Sequence, residues 1–407
     1  MLPSNVKDIY RRTSHLSFNF SLESSQQILI SLSQTADRIR TILLPGQQLV
    51  DIVRREGLEL IVSNFKFLRT LDLHCSGINT LPNSIGKLTH LRYLGLSDTK
   101  IKALPNSITQ LQNLQTLKLS GLYEFKEFPR DMKKLVSLRH LKFVGVSALT
   151  HMPSGLGQLT NLQTLSYFVL SKGPRGTSLR HGCGDQVAEL KELMPLNSLR
   201  NLCILNLRHR ITDGTAANLK EKQYLQSLML SWFSSDDRKY LEAAMESTSS
   251  DEYEMTLESF EPLPNLKSLS LDGYGGVRLS SWVPSLKQLV SFSLSNCIKC
   301  QTLPPLDKFP SLKKLNLHKM PLIEYISGDF FTPSKATSLM PSLETLLLRD
   351  LPNLKGYWRD TVTDGTSENT TMPSSSMIIY FPCLSISRIE GCPQLKFLPF
   401  FPAISKA

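Results

Sequence analysis

The sequence predicts an α/β solenoid: a right-handed superhelix with a parallel β-sheet on its concave face and irregular or short helical segments on its convex side. The main sign is a set of leucines that recur every 23 or 24 residues, at Leu68, Leu91, Leu114, Leu138 and Leu162. Each opens the pattern L-x-x-L-x-L, whose alternation places every second side chain on the same face of a short strand. A proline also recurs once per period, at Pro82, Pro105, Pro129 and Pro153.

A period of this length with this spacing of leucines is the leucine-rich-repeat signature. In its first copy Leu71 and Leu73 point inward, while Asp72 points to the opposite face. One copy buries about seven apolar side chains at roughly 2 kcal/mol each, whereas ordering its residues costs roughly 1.5 kcal/mol apiece. A single turn is therefore unstable, and stacked neighbours must cover both of its faces.

The first part of the chain approaches this pattern without completing it. Residues 1–67 are predicted to be an N-terminal cap, with strands at 15–18 and 38–44 and an amphipathic helix over 49–62. Residues 68–230 are the N-terminal repeats, which a Gly-rich loop at 173–184 interrupts.

The second part departs from the pattern and then returns to it. Residues 231–262 are an acidic insertion, and we expect the stretch 236–261 to be mobile, because it is rich in serine and carboxylates. Residues 263–407 are the C-terminal repeats, with a disordered loop predicted at 360–376.

The net charge of +11 is unevenly distributed. Residues 1–230 hold 29 Lys and Arg against 16 Asp and Glu, whereas residues 231–262 hold 2 against 9. A solvated basic surface is one explanation, and docking to an acidic protein surface is the other. We expect no nucleic-acid partner, because no nucleic-acid-binding motif accompanies the charge.

No motif in the sequence points to catalysis, a cofactor or a metal. Cys297 and Cys300 have the spacing of a zinc or redox pair, but there is no partner pair, so we interpret them as packed core residues. His181, Cys183 and Asp185 lie in one loop, and such adjacency says little, since catalytic triads are assembled in space. We therefore expect a protein that is not an enzyme and that needs no cofactor.

The expected function lies on the outward positions of the strands, because solenoids bind partners on their concave face. Aromatic and arginine side chains are the usual anchors of such interfaces. The candidate protein-binding residues are Arg69, Asp72, Arg92, Tyr93, Lys118, Arg139, His140, Lys142, Trp232, Lys313, Lys314 and His318.

Several phrases of the sequence resemble plant intracellular immune receptors of the coiled-coil, nucleotide-binding, leucine-rich-repeat class. They are LRYLGLSDTKIKALPNSI at 91–108, LPPLDKFPSLKKL at 303–315, YLQSLMLSW at 224–232 and EGCPQL at 390–395. The resemblance implies that residues 1–67 link the repeats to a missing nucleotide-binding module. The motifs of the coiled coil, of the nucleotide-binding loop and of the nucleotide switch are absent.

This resemblance implies a recognition and autoregulatory domain in defence against pathogens. The expected partners are the nucleotide-binding module of the same or a related receptor, and a pathogen effector or a guarded host protein. With no signal peptide and no membrane-length apolar run in the sequence, we expect a cytoplasmic or nuclear protein without membrane insertion. The alternatives are a general leucine-rich-repeat scaffold and a ubiquitin-ligase adaptor without an immune role.

Overall fold

The computed structural model describes residues 13–17, 33–44, 55–171, 188–207, 214–233, 249–326, 340–357 and 381–395. The chain forms two compact units, Met1–Arg210 and Ile211–Ala407. The Gly-rich loop at 173–184, with His181, Cys183 and Asp185, lies outside the described residues, and so does the loop at 360–376.

The described part of the first unit contains eight strands that lie side by side in chain order. Neighbouring strands are parallel, and their register keeps equivalent positions of the repeat opposite one another, so that Leu94 pairs with both Leu71 and Leu117. The strands are β1 (His15–Ser17), β2 (Thr41–Leu43), β3 (Thr70–Asp72), β4 (Tyr93–Gly95), β5 (Thr116–Lys118), β6 (His140–Lys142), β7 (Thr164–Val169) and β8 (Asn201–Leu205).

The second unit repeats this arrangement over six described strands, again parallel and in chain order. Leu269 pairs with Leu228 on one side and with Phe292 on the other. The strands are β9 (Ser227–Ser231), β10 (Ser268–Asp272), β11 (Ser291–Ser295), β12 (Lys314–His318), β13 (Thr345–Arg349) and β14 (Ile386–Glu390).

The core of each unit is a stack of the repeated leucines. Leu71, Leu94 and Leu117 are fully buried in the first unit, as are Leu269 and Leu315 in the second. Stacking lets each coil cover the apolar face of the next, which a single coil cannot do alone. The predicted α/β solenoid of parallel strands is confirmed.

Short 3-10 helices return the chain from one strand to the next. Two of them, Asn83–Lys87 and Asn106–Gln110, follow Pro82 and Pro105, whose φ angles are −70° and −68°. Proline fixes this angle and lacks an N–H to be satisfied, so it suits the start of such a segment. The recurring prolines of the sequence therefore mark where the return segment begins.

One backbone position shortly after a strand has a positive φ in consecutive coils. In the first unit it is Cys75 (56°), Asp98 (55°), Gly121 (74°) and Gly145 (69°). The N–H of Cys75 donates to the oxygen of Ser97 at 3.0 Å, and that of Asp98 donates to Ser120 at 2.7 Å. Gly121 N likewise donates to Val144 O at 2.7 Å, so the main chain ties these three residues to the next coil.

The helix α1 (Arg55–Asn64) lies within the predicted N-terminal cap. Leu58, Ile61 and Val62 are fully buried on one side of it, as an amphipathic helix requires. The helix ends two residues later than the predicted 49–62, and residues 49–54 lie outside the described part of the chain. Farther along the first unit, Leu190–Leu193 form a short 3-10 turn.

The expectation of mobility over 236–261 is wrong for its C-terminal part, which forms the helix α2 (Ser250–Glu258). Ser249 caps its start by accepting a hydrogen bond from Glu252 N, and Tyr253 and Leu257 are buried. The Nε1 atom of Trp282 donates to the oxygen of Leu257 at 3.2 Å. Residues 234–248 of the insertion are outside the described part.

The acidic side chains of α2 bind backbone groups of the second unit. Glu254 Oε1 accepts hydrogen bonds from the backbone N–H groups of Val277 (2.9 Å) and Arg278 (3.1 Å). Glu258 accepts from the backbone N of Ser281 at 3.1 Å and from its hydroxyl at 2.6 Å. The carboxylates that suggested a solvated segment therefore hold α2 in place.

We expect Glu254→Ala to lower the free energy of unfolding by about 1–3 kcal/mol, because two backbone donors lose a charged acceptor. Urea denaturation followed by circular dichroism measures the loss. Met255→Ala is the matched control, since this neighbour is 73% exposed and should cost little. Equal costs for the two variants would contradict an anchoring role for Glu254.

Candidate recognition surface

The candidate surface is the outward face of the sheet, considered separately in the two units. Side chains between the inward leucines of a strand point to this face, and neighbouring strands lie about 4.8 Å apart. A position of the repeat therefore becomes a row of side chains that crosses the strands. The identity of the residues in each row determines what the surface can bind.

A row of arginines precedes the strands of the first unit. Arg69, Arg92 and Arg139 are exposed, and the backbone N–H of each donates to the carbonyl of the residue at the same position one coil before it. This backbone ladder gives the order of the whole row, which we call the arginine row: Arg40, Arg69, Arg92, Gln115, Arg139, Gln163 and Arg200. Five of its seven positions carry a guanidinium group.

The exposed guanidinium groups of Arg69, Arg92 and Arg139 form no ion pair with a carboxylate among the described residues. Arg40 instead lies 5.4 Å from the centre of the Phe67 ring, and that ring stacks on His90 at 5.3 Å. The arginine row therefore presents positive charge that the described part of the fold does not neutralise.

Tyr93 joins the predicted residues of three adjacent strands. Its hydroxyl donates to Asp72 Oδ2 at 3.2 Å, and Lys118 Nζ lies 5.4 Å from its ring centre. Partial burial, followed by the nearby charge of Asp72, raises the pKa of Tyr93. Gly95 leaves room for this group, since a Cβ atom there would lie 2.3 Å from Asp72 Oδ1.

His140 follows Arg139 and precedes Lys142 by two residues, and both positive charges disfavour its protonation. Partial burial, and then the charges of Lys142 and Arg139, lower its pKa from the ordinary value of 6.5. Its Nδ1 atom lies 3.1 Å from Thr164 Oγ1. The positive charge of this part of the surface therefore comes from Arg139 and Lys142, both of which are exposed.

The predicted residues of the second unit are paired with carboxylates to a greater extent. Lys313 Nζ lies 2.7 Å from Glu344 Oε1, whose hydrogen bond and charge raise the pKa of the lysine. His318 Nε2 lies 3.3 Å from Asp350 Oδ2. Lys314 is exposed. This face is a mixture of both charges, unlike the arginine row of the first unit.

The predicted exposure of Trp232 is wrong, because its side chain is only 1% exposed. Its ring centre lies 5.1 Å from that of Tyr274 and 6.1 Å from that of Tyr253, which belongs to α2. Trp232 follows the last residue of β9, where the side chain turns into the space that these two tyrosines cover. It is a core residue and not a contact for a partner.

Two other residues that stand between leucines of the pattern, Gly95 and Asn206, are also buried, although such positions should face outward. Asn206 lies beyond the end of β8 with a φ of 68°, and its Nδ2 donates to the oxygen of Leu170 at 2.9 Å. The register between β7 and β8 shifts after Leu165, so the alternation that the leucines predict does not continue to this position.

The two cysteines of the Cys-x-x-Cys segment are packed in the core, as interpreted from the sequence. Burial raises the pKa of Cys300 to about 12 and that of Cys297 well above its ordinary value. Their sulfurs donate to the backbone oxygens of Thr302 and Ser295, each at 3.4 Å. Neither is a ready thiolate nucleophile or metal ligand.

Sequence reasoning missed Arg40 and Arg200 in the arginine row, and it missed a cluster formed by His74, Cys75 and Asp98. Arg40 and Arg200 lie outside the regular repeats, so only the backbone ladder shows their equivalence to Arg69.

Within the described residues, no helix is both long enough and apolar enough to cross a bilayer.

A protein family described as a leucine-rich repeat region matches residues 52–355. RGA1 of Solanum bulbocastanum, whose name describes it as a disease resistance protein, is 38% identical to this chain over 299 aligned residues. The alignment covers 73% of this chain and 28% of RGA1. Disease resistance protein RGA2 of the same species is 35% identical over 215 residues, which cover 51% of this chain and 20% of RGA2. The chain thus spans under a third of the length of either relative.

Among solved structures, a leucine-rich-repeat protein of Leptospira interrogans aligns with 89% of this chain and 86% of its own, at 18% identity and a TM-score of 0.49.

Proposed function

The chain belongs to the leucine-rich repeat family, and from that premise we propose that it is a non-enzymatic recognition and autoregulatory region of a plant intracellular immune receptor. Its similarity to disease resistance proteins supports the immune role. Such a receptor acts in the cytoplasm or nucleus. The surface that serves the autoregulatory role is the basic face of the first unit.

The observation that carries this proposal is the positive charge of the arginine row and of its neighbours Lys118 and Lys142. Unopposed charges on an accessible surface attract an acidic partner and speed its association. The partner we propose is an acidic face of the nucleotide-binding module of the same or a related receptor. Contact with that module would hold it in its inactive arrangement.

The recognition role falls to the face of the second unit, where Lys313, Lys314 and His318 lie among carboxylates. A surface of mixed charge discriminates between partners, because each wrong partner places like charges together or leaves a charge unpaired. The ligand we propose here is a pathogen effector or a guarded host protein.

The alternatives are a general leucine-rich-repeat scaffold and a ubiquitin-ligase adaptor without an immune role. Neither needs the basic face of the first unit to bind a nucleotide-binding module. Binding to such a module therefore separates the proposed function from both alternatives.

We expect the triple variant Lys118→Glu, Arg139→Glu and Lys142→Glu to bind a nucleotide-binding module about tenfold more weakly or worse. Three attractive contacts become repulsive, and each exposed pair contributes up to about 1 kcal/mol. A pulldown with the nucleotide-binding module of a related receptor, repeated at low and at high salt, measures the loss. Added salt should weaken the wild-type complex as well.

A matched control is the triple variant Lys87→Glu, Lys126→Glu and Lys133→Glu. These lysines are also exposed but lie outside the strands, so the net charge changes equally while the sheet face is preserved. An equal loss in both triple variants would mean that the change in net charge alone explains the weaker binding. An unchanged pulldown with the sheet-face variant would refute docking through this face.

A further inference from the structure

Three side chains that can ligate a metal converge just beyond the ends of β3 and β4. His74 Nδ1 lies 3.3 Å from Asp98 Oδ2 and 3.8 Å from Cys75 Sγ. The three ligand atoms lie within 4.8 Å of one another, and this is the single such group of three among the described residues. The cluster is separate from the arginine row and plays no part in the proposed function.

The backbone of two successive coils brings these residues together. Cys75 and Asp98 occupy the positive-φ position of their coils and are 23 residues apart, one full period. Cys75 N donates to Ser97 O and Asp98 N donates to Ser120 O, so both main chains are held in place. His74 N donates to Asp72 Oδ1 at 3.1 Å, which also fixes the start of the ligand segment.

We infer that His74, Cys75 and Asp98 form a zinc-binding site with three protein ligands and a fourth position open to solvent. Zinc takes nitrogen and carboxylate ligands at about 2.0–2.2 Å and thiolate at about 2.3 Å, usually in a tetrahedron. These bond lengths place two ligand atoms about 3.3 Å apart for nitrogen and oxygen, and about 3.6 Å apart for nitrogen and sulfur. The observed 3.3 and 3.8 Å are close to these separations, and all three ligand atoms lie within 4.8 Å of one another. Cys75 Sγ also lies 3.3 Å from His74 Nε2, so either nitrogen of the ring is within reach of the thiol.

The donor set suits zinc better than a hard cation. Mg²⁺ and Ca²⁺ take oxygen ligands, whereas imidazole and thiolate favour Zn²⁺. Zinc binds the thiolate form of cysteine, so the thiol proton of Cys75 leaves to solvent on binding. His74 Nδ1 also lies 3.2 Å from the backbone oxygen of Ser97, so a metal bound at this nitrogen would replace that contact.

The second unit contains a related pair without the thiol, which meets through the other nitrogen of the imidazole ring. His318 Nε2 lies 3.3 Å from Asp350 Oδ2, and these two residues hold the positions of His74 and Asp98 in their own coils. Lys319, with a φ of 53°, holds the position of Cys75. An ammonium group cannot ligate a cation and repels it. The chain therefore carries its own control, a histidine–aspartate pair that should not bind zinc.

The site is tested by titrating the full chain with Co²⁺, which reports thiolate ligation by its absorption, and by then displacing it with Zn²⁺. We expect one equivalent at micromolar metal, one proton released per ion, and weaker binding as pH falls. Cys75→Ser should abolish the thiolate absorption and weaken zinc binding at least tenfold, and Asp98→Asn should also weaken it. His318→Ala should leave the thiolate absorption and the zinc affinity unchanged. Far-ultraviolet circular dichroism verifies that each variant is folded.

A second variant tests whether adding a thiol at the equivalent position creates a metal site. Lys319→Cys completes the second cluster, so the chain should then bind two equivalents of Co²⁺ with twice the thiolate absorption. The inference is overturned if the wild-type chain shows no thiolate absorption, if Cys75→Ser keeps it, or if Lys319→Cys adds no second equivalent. The last outcome would mean that the three positions do not by themselves define a metal site.

Discussion

Replacing Trp232 with alanine is expected to lower the free energy of unfolding by about 3–5 kcal/mol. The indole is almost fully buried between Tyr274 and Tyr253, so its removal leaves a cavity that the surrounding rings cannot fill completely. Urea denaturation followed by tryptophan-independent circular dichroism measures the change. This loss would be among the largest for any single side chain in the second unit.

Tyr224→Ala provides the comparison, because this tyrosine lies in the same repeat and is 59% exposed. It should change the free energy of unfolding by less than about 0.5 kcal/mol, as exposed sites usually do. If Trp232→Ala were equally mild and instead weakened partner binding, the original prediction from the sequence would be right and the buried position wrong.

Gly273→Ala is expected to cost about 2–5 kcal/mol, although it adds only one methyl group. The φ of Gly273 is 71°, a region in which an L side chain costs about 1–2 kcal/mol. The added Cβ would also lie 2.2 Å from Cδ2 of Phe233, a ring that is 2% exposed. Overpacking of this kind costs about 1–3 kcal/mol. Thermal unfolding by calorimetry measures the combined loss.

Gly145→Ala separates the two contributions. Its φ of 69° is nearly the same, but the added Cβ would meet nothing closer than Tyr123 Cε1 at 3.5 Å. It should therefore show the backbone cost alone, about 1–2 kcal/mol. Equal losses at the two glycines would show that the Phe233 ring moves aside without penalty.

The repeated strands, their order and most of their register were accessible from the sequence, and the shift between β7 and β8 was not. Period-2 leucines specify which face of a strand is buried, and a fixed repeat length places the same residue type opposite itself in the next coil. Arg69, Arg92 and Arg139 could therefore be assigned to one row before any coordinates were known. Contacts between coils follow from the repeat because they join equivalent positions.

Contacts made by residues that are not part of the repeat could not be predicted from the period of the leucines. Trp232 has a strand-flanking position that suggests exposure, and only the packing of α2 and Tyr274 shows that the indole is covered. The composition of α2 also misled, because Glu254 and Glu258 bind backbone N–H groups that no periodicity reveals. Tertiary packing outweighed the local signal in both cases.

The cluster of His74, Cys75 and Asp98 was predictable only in part from the repeat. Cys75 and Asp98 are one period apart, so an alignment of the repeats places them side by side. What the alignment lacks is the positive φ that turns both side chains toward His74. A search for metal ligands along columns of the repeat, rather than along the chain, would have found this group.

The constant register of the strands has a consequence for how such a chain can change over evolutionary time. When whole coils are duplicated or lost by recombination, the new junction joins positions that already fit each other, and the hydrogen-bond ladder continues without repair. A shift of a single residue within a strand instead exchanges the buried and exposed sides of that coil. The architecture thus favours variation in steps of a complete coil, and each step lengthens or shortens the arginine row by one position.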